Sequence, residues 1–308
     1  MAVIVEGLTK TFGDKVAVGD LDMAVEPGLV TGFLGPNGAG KSTTMRMMLG
    51  IDRSDRGNVT FDGTAYTQLD QPARMVGAML DAHAVDPDRS ARSHLSYLAA
   101  ASGLPATRVD EVLGLTGIRE VAKRHVGAFS LGMHQRLGIA SAMLGDPKYL
   151  FLDEPTNGLD PEGIRWVRQF LQELARQGRG ILVSSHLLAE LSLYADQLVV
   201  IGRGRLITTG SVDHFRAEHA TITVTVRSPG LDELVSLIES RGGSTQREGD
   251  DLVVRDMTAS AIGDVAALHS IPIHELHTES SSLEDAYLEV TAEAQQYRSG
   301  GDDQEVES

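Results

Sequence analysis

The chain contains no cysteine, so there is nothing to oxidise into a disulfide. It also lacks any run approaching the roughly 20 apolar residues that a membrane-crossing helix needs. Its most apolar stretches, such as Gly180 to Val183 and Gln197 to Gly202, are of strand length. The opening Met1-Ala2-Val3-Ile4-Val5-Glu6 has neither the cationic start nor the apolar core of a secretory signal. A cytoplasmic location is expected. Basic residues are scarce, with 27 Lys and Arg against 43 Asp and Glu and a net charge of −16. Nucleic-acid binding rests on clustered Lys and Arg that release counterions from phosphates, so a DNA or RNA partner is disfavoured.

What is there suffices for an ordinary folded protein. A chain of 308 residues, 42% of them hydrophobic, can build one large domain and one small one. Acidic residues gather at the end, where Asp302, Asp303, Glu305 and Glu307 follow Ser299-Gly300-Gly301. Such a polar segment has too few apolar residues to offset the entropy of ordering, and 295–308 reads as a disordered acidic tail.

Up to about residue 210, short β-rich runs alternate with longer amphipathic stretches. Leu29 to Leu34, Tyr149 to Leu152 and Gly180 to Ser184 each lead into a loop and a helix-like segment, the pattern of an α/β domain with a largely parallel, buried sheet. Ala2 to Val5, Val18 to Val25 and Asn58 to Phe61 alternate instead and are punctuated by Gly, which predicts an antiparallel β subdomain. Between about 89 and 145 the apolar spacing turns helical, giving a helical subdomain. From 211 to 294 a new βα rhythm predicts a small ferredoxin-like α+β accessory domain: strand Thr221 to Val226, helix Leu231 to Ser240, a hairpin around Glu248 to Asp251, helix Ala259 to His269 and strand Ile271 to His277.

Gly35-Pro36-Asn37-Gly38-Ala39-Gly40-Lys41-Ser42-Thr43 follows the strand Val30 to Leu34 and opens the helix-like Thr44 to Leu49. This is the setting of a phosphate-binding P-loop. The glycines let backbone N–H groups curl around a phosphate, and the helix N-terminus adds its positive dipole end. Lys41 is placed to reach the β- and γ-phosphates, and Ser42 to offer a hydroxyl to Mg2+. Tyr149 to Leu152 delivers two adjacent carboxylates: Asp153 is expected to hold Mg2+ through a water, and Glu154 to deprotonate the attacking water. His186, after the strand Gly180 to Ser185, is expected to bond the γ-phosphate or hold the water and Glu154 in place. ATP and Mg2+ are the implied ligands.

Phe129-Ser130-Leu131-Gly132-Met133-His134-Gln135-Arg136 opens another helix-like run. Read from its residues alone, Ser130 is a helix N-cap. The segment resembles the signature of ATP-binding cassette proteins, usually Leu-Ser-Gly-Gly-Gln, in the Ser-Leu-Gly-Met variant of bacterial branches related to drug and lantibiotic export. The resemblance covers residues 1 to about 210 in order. It implies a P-loop cassette in which Ser130, Gly132 and Gln135 help bind the γ-phosphate held by the opposite subunit, so that the active unit is a head-to-tail homodimer with two ATP molecules at its interface. It further implies that Asn157-Gly158-Leu159-Asp160 is the loop by which the cassettes communicate, and that Phe12 stacks on adenine. Ser282 to Leu288 looks like the ending of single-cassette export ATPases.

Two departures stand out. The signature carries Leu131 and Met133 in place of the commonest Gly and Gln, and Asp81 ends the strand Val76 to Leu80 where the family usually has a Gln that binds Mg2+. Asp81 is expected to face the metal directly or through water. The whole implies an ATP-hydrolysing subunit that drives a separate membrane permease exporting drugs or antibiotics, from a peripheral position on the inner face of the cell membrane. The competing reading is a soluble cassette ATPase acting on ribosomes or DNA. Those proteins usually carry two cassettes or long insertions, whereas a single P-loop and a single signature occur here.

Overall fold

The computed structural model describes residues 1–219 and 222–280; the readings of Ser282 to Leu288 and of the tail lie outside them. The chain forms two compact units, the first spanning Met1–Asp213 and the second starting at His214.

The first unit opens with strands β1 (Val3–Phe12) and β2 (Lys15–Val25), joined at Gly13-Asp14. Strand β3 (Val30–Leu34) follows, then helix α1 (Lys41–Met48) and strand β4 (Arg56–Phe61). Strands β2, β1 and β4, in that order, make an antiparallel sheet. Alternation along β2 explains its two faces: Leu21, Met23 and Val25 are buried while Asp20, Asp22 and Ala24 face out. A break in the β1 pairing at Gly7 is allowed by its left-handed φ of 56°, and Gly57 of β4 passes so close that a Cβ there would stand 2.4 Å from the Gly7 carbonyl.

A short helix α2 (Pro72–Met75) leads into strand β5 (Val76–Met79). Helices α3 (Ala91–Ala101), α4 (Thr107–Leu115) and α5 (Leu131–Ala142) form the helical subdomain. Strand β6 (Tyr149–Leu152), helix α6 (Pro161–Arg176), strand β7 (Gly180–Ser185), the single-turn α7 (Leu188–Leu191) and strands β8 (Gln197–Gly202) and β9 (Arg205–Ser211) complete the unit, with α8 (Val212–His219) after it. The second sheet runs β5-β6-β7-β3-β8-β9, parallel except for β9. Strands β3, β6 and β7 are buried along their whole length, and on one face Phe33, Tyr149, Phe151 and Leu182 share a core with the antiparallel sheet and α1. Helix α5 lies hard on the sheet edge: a Cβ at Gly77 would fall 1.9 Å from the Ala142 carbonyl, so only glycine lets β5 and α5 approach this closely.

The two sheets meet through aromatics. Phe61 of β4 sits with its ring centroid 6.2 Å from Tyr149 and 5.9 Å from Phe151 of β6. Burying Phe61 and Phe151 contributes about 1.5–3 kcal/mol each. Beside them the Tyr149 hydroxyl donates to Asp62 Oδ1 at 2.7 Å, and Lys148 pairs with Asp62 Oδ2 at 2.5 Å. Burial and the Asp62 carboxylate raise the Tyr149 pKa.

The second unit contains β10 (Ile222–Arg227), α9 (Leu231–Glu239), β11 (Ser244–Glu248), β12 (Asp251–Arg255), α10 (Ala259–Leu268) and β13 (Glu275–Ser280). Its sheet runs β11-β12-β10-β13, all antiparallel, which is the ferredoxin-like βαββαβ arrangement. Val224, Val226, Leu252 and Val254 share one core with Leu234, Ile238, Ile262 and Val265 of the helices. The strand predicted from Ile271 begins at Glu275 instead; Ile271 closes the core, and Pro272 offers its carbonyl to the Ser228 hydroxyl.

Candidate active site

The C-terminal ends of β3, β6 and β7 lie side by side, and the loops leaving them carry the candidate residues, the usual place for a site on a parallel sheet. The 35–40 loop leaves β3 through Gly35, where a Cβ would meet the Ile201 carbonyl at 2.6 Å, and enters α1 through Gly40 at φ 108°, where a Cβ would stand 2.5 Å from the Ala17 carbonyl. No side chain among the described residues caps α1, and its first turn holds no acidic residue. Its leading N–H groups therefore remain directed at an anion.

Lys41 is only 6% exposed, and its Nζ donates to the Gly35 carbonyl at 2.6 Å while standing 3.4 Å from Glu154 Oε1. Phe12, Lys15, Ala17, the loop residues Pro36, Asn37, Gly38 and Gly40 to Thr43, Asp153 and Glu154 line an open cavity of about 310 Å³. Ala39 is buried beneath the loop. Phe12 ends β1 with its ring 54% exposed and Lys10 Nζ 5.4 Å from the ring centroid, so a flat apolar face is presented at the rim.

The two carboxylates are held differently. Asp153 N–H donates to the Met79 carbonyl at 2.8 Å and its Oδ1 accepts from the Ser184 hydroxyl. Glu154 takes a left-handed φ of 48°, its N–H donating to the same Ser184 oxygen at 2.9 Å. This turn sends its side chain to His186, whose Nδ1 lies 2.9 Å from Glu154 Oε2. Glu154 Oε1 is buried and accepts no hydrogen bond from the described residues, leaving the Lys41 charge as its neighbour. A non-glycine residue in this region costs on the order of 1–3 kcal/mol and is retained where the surroundings fix it. Ser184 is the functional residue that the sequence reading missed. A hydroxyl at an inward position of a wholly buried strand was the available signal.

Ser130, Gly132 and Asp160 do not line this cavity. Ser130 caps α5, its Oγ accepting from Met133 N–H at 3.3 Å, and is exposed. Asp160 caps α6 through Gly163 N–H at 2.8 Å. Gln135 differs from Ser130: its side chain is 6% exposed, with a buried Oε1 that no described residue satisfies. Asp81 is also away from the cavity. Its side chain is 65% exposed and Oδ1 accepts from His83 N–H at 2.8 Å, a turn-forming role.

A family model described as "ABC transporter" matches residues 18–157. The uncharacterized ABC transporter ATP-binding protein YhcH of Bacillus subtilis is 35% identical over 295 residues, covering 94% of this chain and 96% of its own. The chain belongs to the ABC transporter ATP-binding proteins. In this family's terms the first unit is its cassette, and the chain is an ATPase. The bacitracin transport ATP-binding protein BcrA of Bacillus licheniformis is 39% identical over 212 residues, 68% of this chain and 69% of its own. Among solved structures, cbiO1 from Clostridium perfringens, part of the ABC transporter complex cbiONQ, aligns with a TM-score of 0.62 and 30% identity, covering 70% of this chain and 90% of that one. The accessory unit matches a separate model, a domain of unknown function (DUF8746), over residues 222–284. No described helix of this ABC protein is long and apolar enough to cross a membrane.

Proposed function

We propose that this ABC ATPase works as a head-to-tail homodimer on the inner face of the membrane and drives a separate permease that exports an antibiotic or similar drug. The cargo class is supported by the likeness to the bacitracin transport protein and by the Ser-Leu-Gly-Met signature. The observation that carries the dimer is the position of Ser130: an exposed helix start of phosphate-binding character lies outside the cavity that Lys41 lines. Each cavity is then completed by the Ser130 of a second copy. Asp160 faces the same interface, and the surface between the helical subdomain and the 81–83 turn transmits closure to the permease.

Within each cavity Phe12 receives the adenine, and the 35–43 loop encloses the β- and γ-phosphates with its backbone N–H groups and Lys41. The oxygens of Ser42 and Asp153 suit Mg2+, a hard cation held through one or two carboxylates together with substrate phosphates; no cluster of three acidic or His side chains exists among the described residues to make a dedicated cage. That ion supplies charge neutralisation at the phosphates. Glu154, aimed by His186 and by the Ser184 bond to its N–H, takes the proton of the attacking water. Lys41, released from the Gly35 carbonyl, compensates the charge that builds on the phosphates.

Mixing two inactive variants tests the shared site. Lys41→Ala disables one cavity's own loop, and Ser130→Ala disables the signature lent to the partner. Mixed dimers contain one site with both residues intact, so ATPase activity should rise above that of either variant alone. Sites complete within one protomer would give no rise.

A further inference from the structure

Helix α5 meets the loop into α6 at two places and α6 itself at a third, all within one protomer. Leu131, the residue that replaces the usual Gly of the signature, reaches Gly158, where a Cβ would stand 2.4 Å from Leu131 Cδ2. Gly132 lies against Leu159, with a built Cβ at 3.6 Å from Leu159 Cδ2. One turn along the same face, the Arg136 guanidinium stacks on the Trp166 ring of α6 at 3.9 Å from its centroid. Trp166 in turn stacks on Phe170, with centroids 5.2 Å apart and planes 16° from parallel.

Arg136 is also anchored behind. Its Nη1 donates to the Thr116 carbonyl at the end of α4, at 2.9 Å. Half-buried between helices, its cation is disfavoured by desolvation and supported by Glu162 and Asp160. A planar cation can satisfy a carbonyl at its edge and an indole on its face together, which a lysine ammonium cannot.

We propose that Leu131, Arg136 and Trp166 are positioning residues that lock the signature helix to the 157–160 loop, so that Ser130 and Asp160 meet the partner protomer's nucleotide as one rigid piece. This rests on the shared-site reading given above, because a lock of this kind has work to do only if both ends engage the other cassette. Phosphate engagement at Ser130 then sets the position of Asp160 without a separate conformational step. Leu131 extends the lock beyond what a glycine at that place could make.

The test uses the full-length chain. Arg136→Lys and Trp166→Leu should lower ATP turnover about tenfold, the scale of small misplacements of reacting groups, while affinity for a fluorescent ATP analogue at the Lys41 loop stays within twofold and the melting temperature stays near the parent's. Leu131→Gly, which removes the contact with Gly158, should lower turnover in the same direction. Parental turnover in Arg136→Lys, Trp166→Leu and Leu131→Gly, or a loss that merely follows a lowered melting temperature, would each overturn the lock. Failure of the Lys41 and Ser130 variants to complement would instead overturn the shared site on which it rests. Trp166 is the only tryptophan of the chain, so its quenching by acrylamide reports directly on the joint and should rise in Arg136→Lys.

Discussion

Two helix N-termini in the cassette are suited to anions, yet they are built in opposite ways. Helix α1 begins at a left-handed glycine with no side-chain cap and lies at the floor of a cavity. Helix α5 begins at Ser130, which caps it with a long 3.3 Å bond and faces outward. The first end leaves its N–H groups open to an anion and places Asp153 and Glu154 beside them. The second satisfies itself loosely and keeps its hydroxyl near the surface. A third end, that of α6, shows the closed alternative: Asp160 accepts from Gly163 N–H at 2.8 Å and Glu162 adds negative charge to the first turn, so its leading N–H groups are answered from within the chain. On the shared-site proposal, the contrast assigns substrate capture and substrate completion to separate helix starts.

The sharpest way to break this contrast is to remove the chemistry from the α1 side. Glu154→Gln should lower the turnover number by roughly 10²- to 10⁴-fold and leave an ATP-trapped dimer visible by size-exclusion chromatography; hydrolysis at the parental rate would reassign the base. Next in size is the comparison of caps. Ser130→Ala and Asp160→Ala should each destabilise the chain by about 1 kcal/mol in denaturant titrations. Asn should restore that stability at both positions, while on the shared-site proposal Ser130→Ala also loses turnover.

The smallest effect sharpens the picture of the helical subdomain that carries α5. His94 is buried, and desolvation followed by the Arg89 charge lowers its pKa. The folded state therefore resists protonation more than the unfolded chain. Its stabilising effect is complete above the unfolded value of about 6.5 and is lost as pH falls toward the depressed folded value. Thermal melts between about pH 7 and 5 should show a shallower loss for His94→Gln than for the parent.

Contiguous chemistry was easily read from sequence. The P-loop needs only neighbouring residues to curl, so Gly35 to Thr43 announced its fold and ligand together, and the Ser130 cap was visible in the same local way. The βαββαβ order of the second unit followed from periodicity. Residues whose roles depend on distant strands were not legible. Ser184 acts through Asp153 and Glu154, 31 and 30 positions away, and the grip of Arg136 on Trp166 joins two helices whose spacing no periodicity specifies. Gln135 was read by adjacency to the signature, which gave no sign that its side chain is buried. Hairpin length was underestimated for a different reason: β1 continues to Phe12 and β2 starts at Lys15, in polar sequence that pairs through its backbone alone.

The strand order also sets a timetable. Among the described residues the P-loop strand β3 has β7 and β8 as its sheet neighbours, and neither exists until the ribosome has passed Gly180 and then Gln197. Loop closures of that length are slow and come late. The nascent chain therefore carries the P-loop sequence through most of its synthesis without the frame that gives it shape. The shape that an anion would meet at the 35–40 loop therefore arises only once β7 and β8 have been made.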